Sequence, residues 1–207
     1  MFRRILPCLA AACVLASVSP AWGAGVGLKL GFSLSKFVQE AAVPPALDWS
    51  RLPFFAGGLT FESRLGALSI QPELLLVRMG GRYASDPDNG FESRLDYAQV
   101  PLLLKLGAAP RGRVDPFVCV GGYGSYLIKA RGIIEAAGEK TAADLTGEYE
   151  RFDFGIVAGA GLTWRRGEMA VSIEGRFGLG LANVLRDPAP GDSLKNRSLM
   201  AFVTIVY

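Results

Sequence analysis

The chain has 207 residues, half of them hydrophobic, and contains 26 glycines but no histidine. After the N-terminus no apolar run reaches the roughly 18 residues that a transmembrane helix needs. The length allows one domain or at most two small ones, and the lack of histidine removes the commonest metal ligand and general base. Composition therefore argues against a helical membrane protein and against histidine-dependent chemistry.

Residues 1–23 have the organisation of a secretory signal peptide. Arg3 and Arg4 precede an apolar stretch from Ile5 to Val18, and Ala21-Trp22-Gly23 forms a small-x-small cleavage pattern. We therefore predict a mature chain that begins at Ala24. A membrane anchor is the alternative interpretation, but the apolar core is too short for it.

The mature chain is almost neutral. Without Arg3 and Arg4, 20 basic and 19 acidic residues remain, a net charge of +1, so charge gives no reason to expect a nucleic-acid partner. Cys8 and Cys13 lie in the signal peptide, and Cys119 alone cannot form an intramolecular disulfide. A lipoprotein would carry its lipid on Cys13, but the apolar core before that residue is short.

The first half of the mature chain predicts four strands, in which apolar residues alternate with small or polar ones. These strands are Gly25 to Leu34, Phe54 to Arg64, Ala67 to about Arg78, and Leu95 to Gly107. Pro72 cannot donate a hydrogen bond to a sheet ladder, so we expect a bulge there.

The second half predicts four more strands: Pro116 to about Lys129, Phe152 to Trp164, Met169 to Leu181, and Ser198 to Tyr207. Glycines in the fifth strand make its two faces hard to tell apart. The sixth and seventh strands alternate almost without error and are joined by Arg165-Arg166-Gly167-Glu168. They exceed the usual strand length of about 5–6 residues and carry charges midway. Apolar residues facing out and charged or tiny ones facing in are typical of a transmembrane barrel.

The predicted connections alternate between short and long. The long ones are Lys36 to Pro53, Gly80 to Arg94, Ala130 to Glu150, and Asn183 to Arg197, with an optional helical turn over Glu135 to Leu145. Bacterial barrels have short periplasmic turns and long extracellular loops. We therefore predict an all-β fold for residues 24–207, an eight-stranded antiparallel up-and-down transmembrane β-barrel in a bacterial outer membrane, with the long loops outside the cell.

The fourth strand carries a family resemblance. The run from Leu95 to Lys105, LDYAQVPLLLK, resembles a strand of the PorT-type outer-membrane β-barrel family, with Gln99 where glutamate is common. The Pro116-Phe117-Val118 segment and the glycine-rich stretch with Tyr123 and Tyr126 are similar to that family as well. The resemblance spans essentially the whole mature chain and implies a fold and a location, but no reaction.

Charged residues in the inward phase predict the character of the interior. They are Lys29, Glu62, Arg64, Glu73, Lys105, Asp153, Glu174 and Arg176, four acidic and four basic. Side chains nearly fill an eight-stranded barrel, so we expect a dry, structural ion-pair network. The alternative is a proton path, a narrow pore or a ligand site.

Nothing in the sequence indicates catalysis. Glu62, Glu73 and Glu174 could converge inside the barrel, but histidine and a Gly-x-Ser-x-Gly elbow are both lacking. The glycine runs are not followed by a strand-to-helix transition, as a phosphate loop would be, and we expect them to make room for interior side chains. The prediction is a protein that is not an enzyme and uses no cofactor or metal.

Four aromatic residues have predicted roles. Trp164 and, if it points outward, Phe117 suit an interfacial girdle at the periplasmic side. Trp49 is expected to pack within its own loop, with a binding anchor as the alternative. Tyr207 closes an outward apolar face and resembles the terminal signal read by the barrel-assembly machinery.

These features predict a monomeric, non-enzymatic outer-membrane protein. It would act structurally or through its extracellular loops, in adhesion, envelope integrity or assembly with a protein partner; outer-membrane lipid and the assembly machinery are its other expected partners. The main alternative is small-solute transport or a part in a secretion apparatus. A soluble lipocalin-like binder of apolar ligands would need the apolar phase to face inward, and the glycine-rich opposite phase would make a poorly solvated exterior.

Overall fold

The computed structural model describes residues 25–40, 47–86, 89–107, 114–136, 138–167 and 169–207, and the predicted signal peptide lies outside these ranges. The described strands are β1 (Gly25–Glu40), β2 (Leu52–Leu65), β3 (Leu68–Asp86), β4 (Asn89–Gly107), β5 (Val114–Ala136), β6 (Glu139–Asp144), β7 (Phe152–Arg166), β8 (Met169–Gly180) and β9 (Ser193–Val206). All pairings are antiparallel, and β1 pairs with β9. The ring therefore closes through eight strands, with β6 attached to β5 outside it. This confirms the predicted fold class.

The alternation of apolar residues with small or polar ones gives the barrel wall an apolar outer face and a different inner face. On β7, Phe152, Phe154 and Ile156 are exposed on the outside, whereas Asp153 and Val157 are buried inside. The same arrangement holds around the ring, because successive side chains of a strand point to opposite faces. The outer surface is consequently an apolar belt, as lipid requires.

The two ends of the barrel differ. Both ends of the described chain lie at the short-turn end, where the Val26 and Tyr207 backbones are hydrogen-bonded and Gly66 turns the chain between β2 and β3 with a positive φ of 68°. We call the opposite end the long-connection end. There the strands extend well beyond their predicted limits.

The predicted second loop, Gly80 to Arg94, is wrong as a loop. β3 and β4 continue through it as a hairpin that ends at the pair Asp86 and Asn89. Gly80, with a φ of 151°, lies so close to β4 that a Cβ atom there would overlap the Ser93 carbonyl oxygen. Glycine, proline and aspartate suggest a loop locally, but cross-strand pairing overrides that preference.

The other long connections are also shorter than predicted. Residues 130–136 belong to β5 and residues 139–144 form β6, with the turn at Gly138, so the helical turn over Glu135 to Leu145 is wrong. β1 extends to Glu40, and β9 begins at Ser193. Within the described ranges, no helix is long and apolar enough to cross a membrane.

The expected bulge is in a different place. Pro72 pairs with Leu102 without a change of register. One irregularity lies on β5, where Ile128 is inserted between residues 127 and 129 opposite consecutive residues of β4, and another lies between Ala84 and Asp86 of β3. Such an insertion changes the face on which the following residues lie, which the glycine-rich sequence of β5 did not reveal.

The interior has two layers. Charged and polar side chains fill the short-turn end, while apolar side chains fill the long-connection end. We call the second layer the apolar cap; it contains Phe37, Trp49, Met79, Leu95, Leu127, Tyr149, Val184 and Leu194. The sequence pattern predicted the polar layer but not this cap.

Candidate functional site

The centre of the barrel holds four buried charges, Lys29, Glu73, Glu174 and Arg176. The Lys29 ammonium lies 2.6 Å from Glu73 Oε1 and 2.9 Å from Glu174 Oε2. Arg176 donates to both Glu73 oxygens at 2.6 and 2.8 Å and to Glu174 Oε1 at 2.5 Å. Each carboxylate thus contacts both cations, and the four charges balance. We call this group the central ion cluster.

Neighbouring side chains complete the central ion cluster. The Cys119 thiol donates to Glu174 Oε1 at 3.1 Å, and the Gln71 amide donates to Glu73 Oε1 at 2.5 Å. The Phe202 ring centroid lies 5.1 Å from the Lys29 ammonium. The carboxylate oxygens therefore already have partners within the barrel, which leaves them poorly placed to act on a substrate.

A second charged group lies at the short-turn end. Glu62 accepts hydrogen bonds from Arg64 Nε at 2.9 Å, from Ser69 Oγ at 3.1 Å and from Lys105 Nζ at 3.4 Å. The Lys105 ammonium also lies 4.0 Å from the ring centroid of Phe117. Phe117 therefore points into the barrel, and its predicted place in an outward aromatic girdle is wrong.

The sequence pattern missed a third ion pair at this end. Arg165 Nε donates to Asp115 Oδ2 at 2.7 Å, and the two residues border a cavity of about 50 Å³ next to the second group. Arg165 lies in the predicted turn after Trp164, and Asp115 lies just before the predicted start of the fifth strand at Pro116. Each shares the inward phase of its strand, and this phase was the signal that could have identified them.

Asp153 lies apart from both charged groups. Its Oδ2 accepts a hydrogen bond at 2.9 Å from Asn196, whose amide nitrogen is also 3.4 Å from the Tyr97 hydroxyl. Its Oδ1 has no hydrogen-bond partner among the described residues. The eight predicted charges thus do not form one network, and Asp153 belongs to a separate polar contact.

The apolar cap closes the long-connection end. Trp49 is only 6% exposed and packs edge-on against Phe37 and Phe91, with ring centroids 4.9 and 6.1 Å away. Its indole nitrogen donates to Gln39 Oε1 at 3.0 Å. Trp49 is therefore a packing residue, as predicted, rather than an exposed anchor.

The connection between β6 and β7 contributes to the cap. Tyr149 is buried, and its hydroxyl lies 2.8 Å from Ser93 Oγ. Burial raises the pKa of Tyr149, so its hydroxyl stays neutral. The connection between β6 and β7 thus packs into the end of the barrel and does not project freely from it.

The interior is filled along its length. Cavities among its charged side chains measure about 50 and 10 Å³, which is room for a few water molecules at most. Among the described residues, no group of three or more His, Cys, Asp or Glu side chains could hold a metal ion. Among the described residues, these charged side chains can stabilise a barrel, and the cavities between them are too small for a solute larger than water.

The strands form a second candidate site where they extend beyond the ring. We call it the rim sheet; it comprises residues 80–86 of β3, 89–94 of β4, 130–136 of β5 and all of β6. Arg82 and Lys140 bind Glu135 at 2.9 and 3.4 Å, and Arg94 pairs with Glu92. The rim sheet is therefore a charged, solvent-facing surface above a closed barrel.

Comparison with known proteins places this architecture in a family. Residues 20–186 match the model of the outer membrane protein beta-barrel domain. The chain belongs to this family. Family membership locates the protein in the bacterial outer membrane and confirms the predicted location. The long-connection end is then the extracellular end.

Several solved structures are similar to this chain at low sequence identity. OprG from Pseudomonas aeruginosa is 9% identical, with 89% of this chain and 94% of that chain covered and a TM-score of 0.54. Neisserial surface protein A is 11% identical, with coverages of 88% and 96% and a TM-score of 0.48. Ail of Yersinia pestis, solved with the heparin analogue sucrose octasulfate, is 10% identical, with coverages of 89% and 99% and a TM-score of 0.43. No curated protein matches the sequence.

Proposed function

We propose that this protein is a non-enzymatic, non-conducting barrel that binds a protein partner at the cell surface through its rim sheet. The observation that carries the proposal is the contrast between the two parts of the molecule. The interior is filled by the central ion cluster and the apolar cap, whereas β3, β4 and β5 continue beyond the ring and add β6. The exposed surface, rather than the lumen, is available for interactions.

β6 is the part of the rim sheet best suited to a partner. All six of its residues are exposed, and its strand pairing is with β5 alone. A strand with one free edge presents unpaired backbone groups, to which an extended segment of another protein can add as a further strand. Adhesion and assembly with an envelope partner would both use such an edge.

A part in a secretion apparatus is the second candidate. It rests on the PorT-type resemblance of the run from Leu95 to Lys105, which forms the membrane-spanning part of β4 directly below the rim sheet. The same rim-sheet contact would serve a secretion partner. Small-solute transport receives no support from the interior, because its cavities hold only water-sized volumes.

Site-specific photo-crosslinking in intact cells tests the proposal. A photoreactive residue replaces Thr141 on β6, and a control replaces the lipid-facing Leu104 of β4. We expect a discrete protein adduct from position 141 and none from position 104. The proposal fails if position 141 yields no protein adduct while the variant barrel is folded, or if both positions yield the same adduct.

A further inference from the structure

The outer surface changes abruptly from apolar to charged on three adjacent strands, β3, β4 and β5. One outward-facing row of paired residues is Leu76, Ala98 and Tyr126, and the next row towards the extracellular end is Arg78, Asp96 and Lys129. This step marks the edge of the apolar belt on this side of the barrel. Side chains of the charged row therefore lie where lipid headgroups begin.

The following row concentrates positive charge. Arg94 pairs with Arg131 across β4 and β5, and on its other side it pairs with Gly80, which has no side chain. Like charges directly opposite each other destabilise a sheet. Arg131 is exposed and makes no ion pair among the described residues. We call Arg78, Arg94, Lys129 and Arg131 the basic patch.

Nearby carboxylates only partly neutralise this surface. Asp96 binds Arg78 at 2.5 and 3.1 Å, and Glu92 pairs with Arg94. Asp144 pairs with Arg131 in the strand register and is hydrogen-bonded to Thr146 at 2.5 and 2.9 Å. The basic patch retains an excess of cations, four against three carboxylates, and Lys129 and Arg131 lie near Asp144 without an ion pair within 4.0 Å among the described residues.

An apolar groove lies directly below the patch. It has a volume of about 300 Å³ and is lined by Phe55 and Leu76 in the apolar belt and by Arg78 and Asp96 at the border. At the short-turn end, Arg166 is the one outward-facing charged side chain among the described residues. The described part of that end therefore has no comparable basic patch. Apolar and cationic surface thus adjoin at the extracellular border.

We infer that the basic patch binds the phosphate groups of a phosphorylated glycolipid of the outer leaflet, with an acyl chain of the same molecule in the groove. Guanidinium groups bind phosphate through paired, charge-assisted hydrogen bonds. A glycolipid carries a phosphate group and an acyl chain in one molecule, so it can occupy the basic patch and the adjoining groove together. A soluble anion would contact only the basic patch. Arg94 and Arg131 also belong to the rim sheet, but lipid binding at its membrane-facing edge does not depend on the protein partner proposed for β6.

Native mass spectrometry of the delipidated, refolded protein tests this inference with lipid A as the probe. The patch variant is Arg94→Gln/Arg131→Gln, and the matched control is Arg166→Gln/Lys195→Gln, which removes two outward-facing charges elsewhere. Loss of charge-assisted hydrogen bonds should weaken lipid A binding by the patch variant by about tenfold or more. The control variant should bind like the wild type. Phosphate-free lipid A should bind weakly and equally to all three proteins.

Two results would overturn the inference. One is equal retention of lipid A by the wild type and the patch variant, each shown to be folded by its gel mobility without boiling. The other is full displacement of lipid A by inorganic phosphate with no preference for the acylated probe, which would assign the patch to a free anion. Retention that depends on both the phosphates and the acyl chains supports it.

Discussion

At the scale of single residues, the barrel interior is stable because its charges compensate one another. Lys29, Glu73, Glu174 and Arg176 lie on three different strands, and each carboxylate contacts two cations. Burying an unpaired charge is strongly unfavourable, whereas a balanced and hydrogen-bonded group costs little. Removing any one of the four residues would therefore leave an uncompensated charge in the barrel interior.

Glu73→Gln should destabilise the barrel by about 3–5 kcal/mol, because it leaves Lys29 and Arg176 with one carboxylate between them. Urea unfolding of the refolded protein in lipid vesicles, followed by tryptophan fluorescence, measures the effect. The matched control is Glu92→Gln, which removes a partly exposed ion pair worth about 0–1 kcal/mol. Equal effects of the two changes would contradict the role given to burial.

The double variant Lys29→Met/Glu73→Met tests charge balance directly. It removes one charge of each sign and leaves Arg176 bound to Glu174 at 2.5 Å. Since replacing a buried pair by apolar residues is often close to neutral, the double variant should unfold at higher urea than Glu73→Gln. A double variant less stable than Glu73→Gln would show that hydrogen-bond geometry, rather than charge balance, stabilises the cluster.

At the scale of strands, the glycines of β7 make space for large interior side chains. A Cβ atom on Gly159 would overlap Arg176, and one on Gly161 would overlap the Phe117 ring. A Cβ atom on Gly155 would meet the Leu179 carbonyl oxygen and the Tyr123 ring. This confirms the prediction for the glycine run of β7 but not for the run in β5, where a Cβ atom on Gly121 would meet a backbone oxygen of β4 and one on Gly124 would have nothing within 4 Å.

Gly155→Ala should therefore destabilise the barrel by about 1–3 kcal/mol through overpacking. Gly175 is the matched control on the neighbouring strand β8, because nothing lies within 4 Å of a Cβ atom built there. The unfolding midpoint in urea and the fraction that shows folded gel mobility report the difference. A Gly175→Ala variant as unstable as Gly155→Ala would exclude the steric explanation.

The apolar cap joins the rim sheet to the barrel. Trp49→Ala removes a buried indole that packs against Phe37, Phe91 and Gly81, at a cost of about 3–5 kcal/mol. Hydrogen exchange should speed up in residues 80–94 and remain slow at the short-turn end. Trp164→Ala, which removes a lipid-facing tryptophan that is 39% exposed, should leave exchange in the rim sheet unchanged.

The C-terminal residue, Tyr207, lies at the short-turn end of the barrel. Tyr207 is 81% exposed and continues the outward apolar face of β9. That position suits the predicted role as a signal for the assembly machinery, which remains a prediction. Its backbone, hydrogen-bonded to Val26 at 3.1 and 3.0 Å, also helps to close the ring.

At the scale of the whole molecule, the proposal that the barrel does not conduct solutes can be tested in planar bilayers. We expect the purified protein to insert into planar bilayers without stable single-channel steps, because both interior layers are filled. Folding of the sample is checked by the shift in gel mobility between unboiled and boiled protein. Reproducible conductance from protein that passes this check would contradict a filled interior.

The sequence pattern was sufficient for the fold class, the strand count of the ring and the lipid-facing residues of the strands that alternate clearly. In a membrane every backbone polar group must be paired, so a chain with period-two alternation and no long apolar run has a closed barrel as its solution. Because side chains alternate strictly, knowing that Glu174 faces inward also places Arg176 there. These predictions depend on the alternation of side chains along a strand and not on contacts between particular side chains.

Tertiary structure alone decided the strand ends, the inward position of Phe117 and the division of the interior. Gly80 continues a strand because β4 pairs with it, and the inserted Ile128 shifts the face of the residues that follow. Whether an inward charge joins the central ion cluster depends on its height along the barrel, which the register across several strands sets. Asp153 and Glu174 share a phase, but only Glu174 lies level with Lys29.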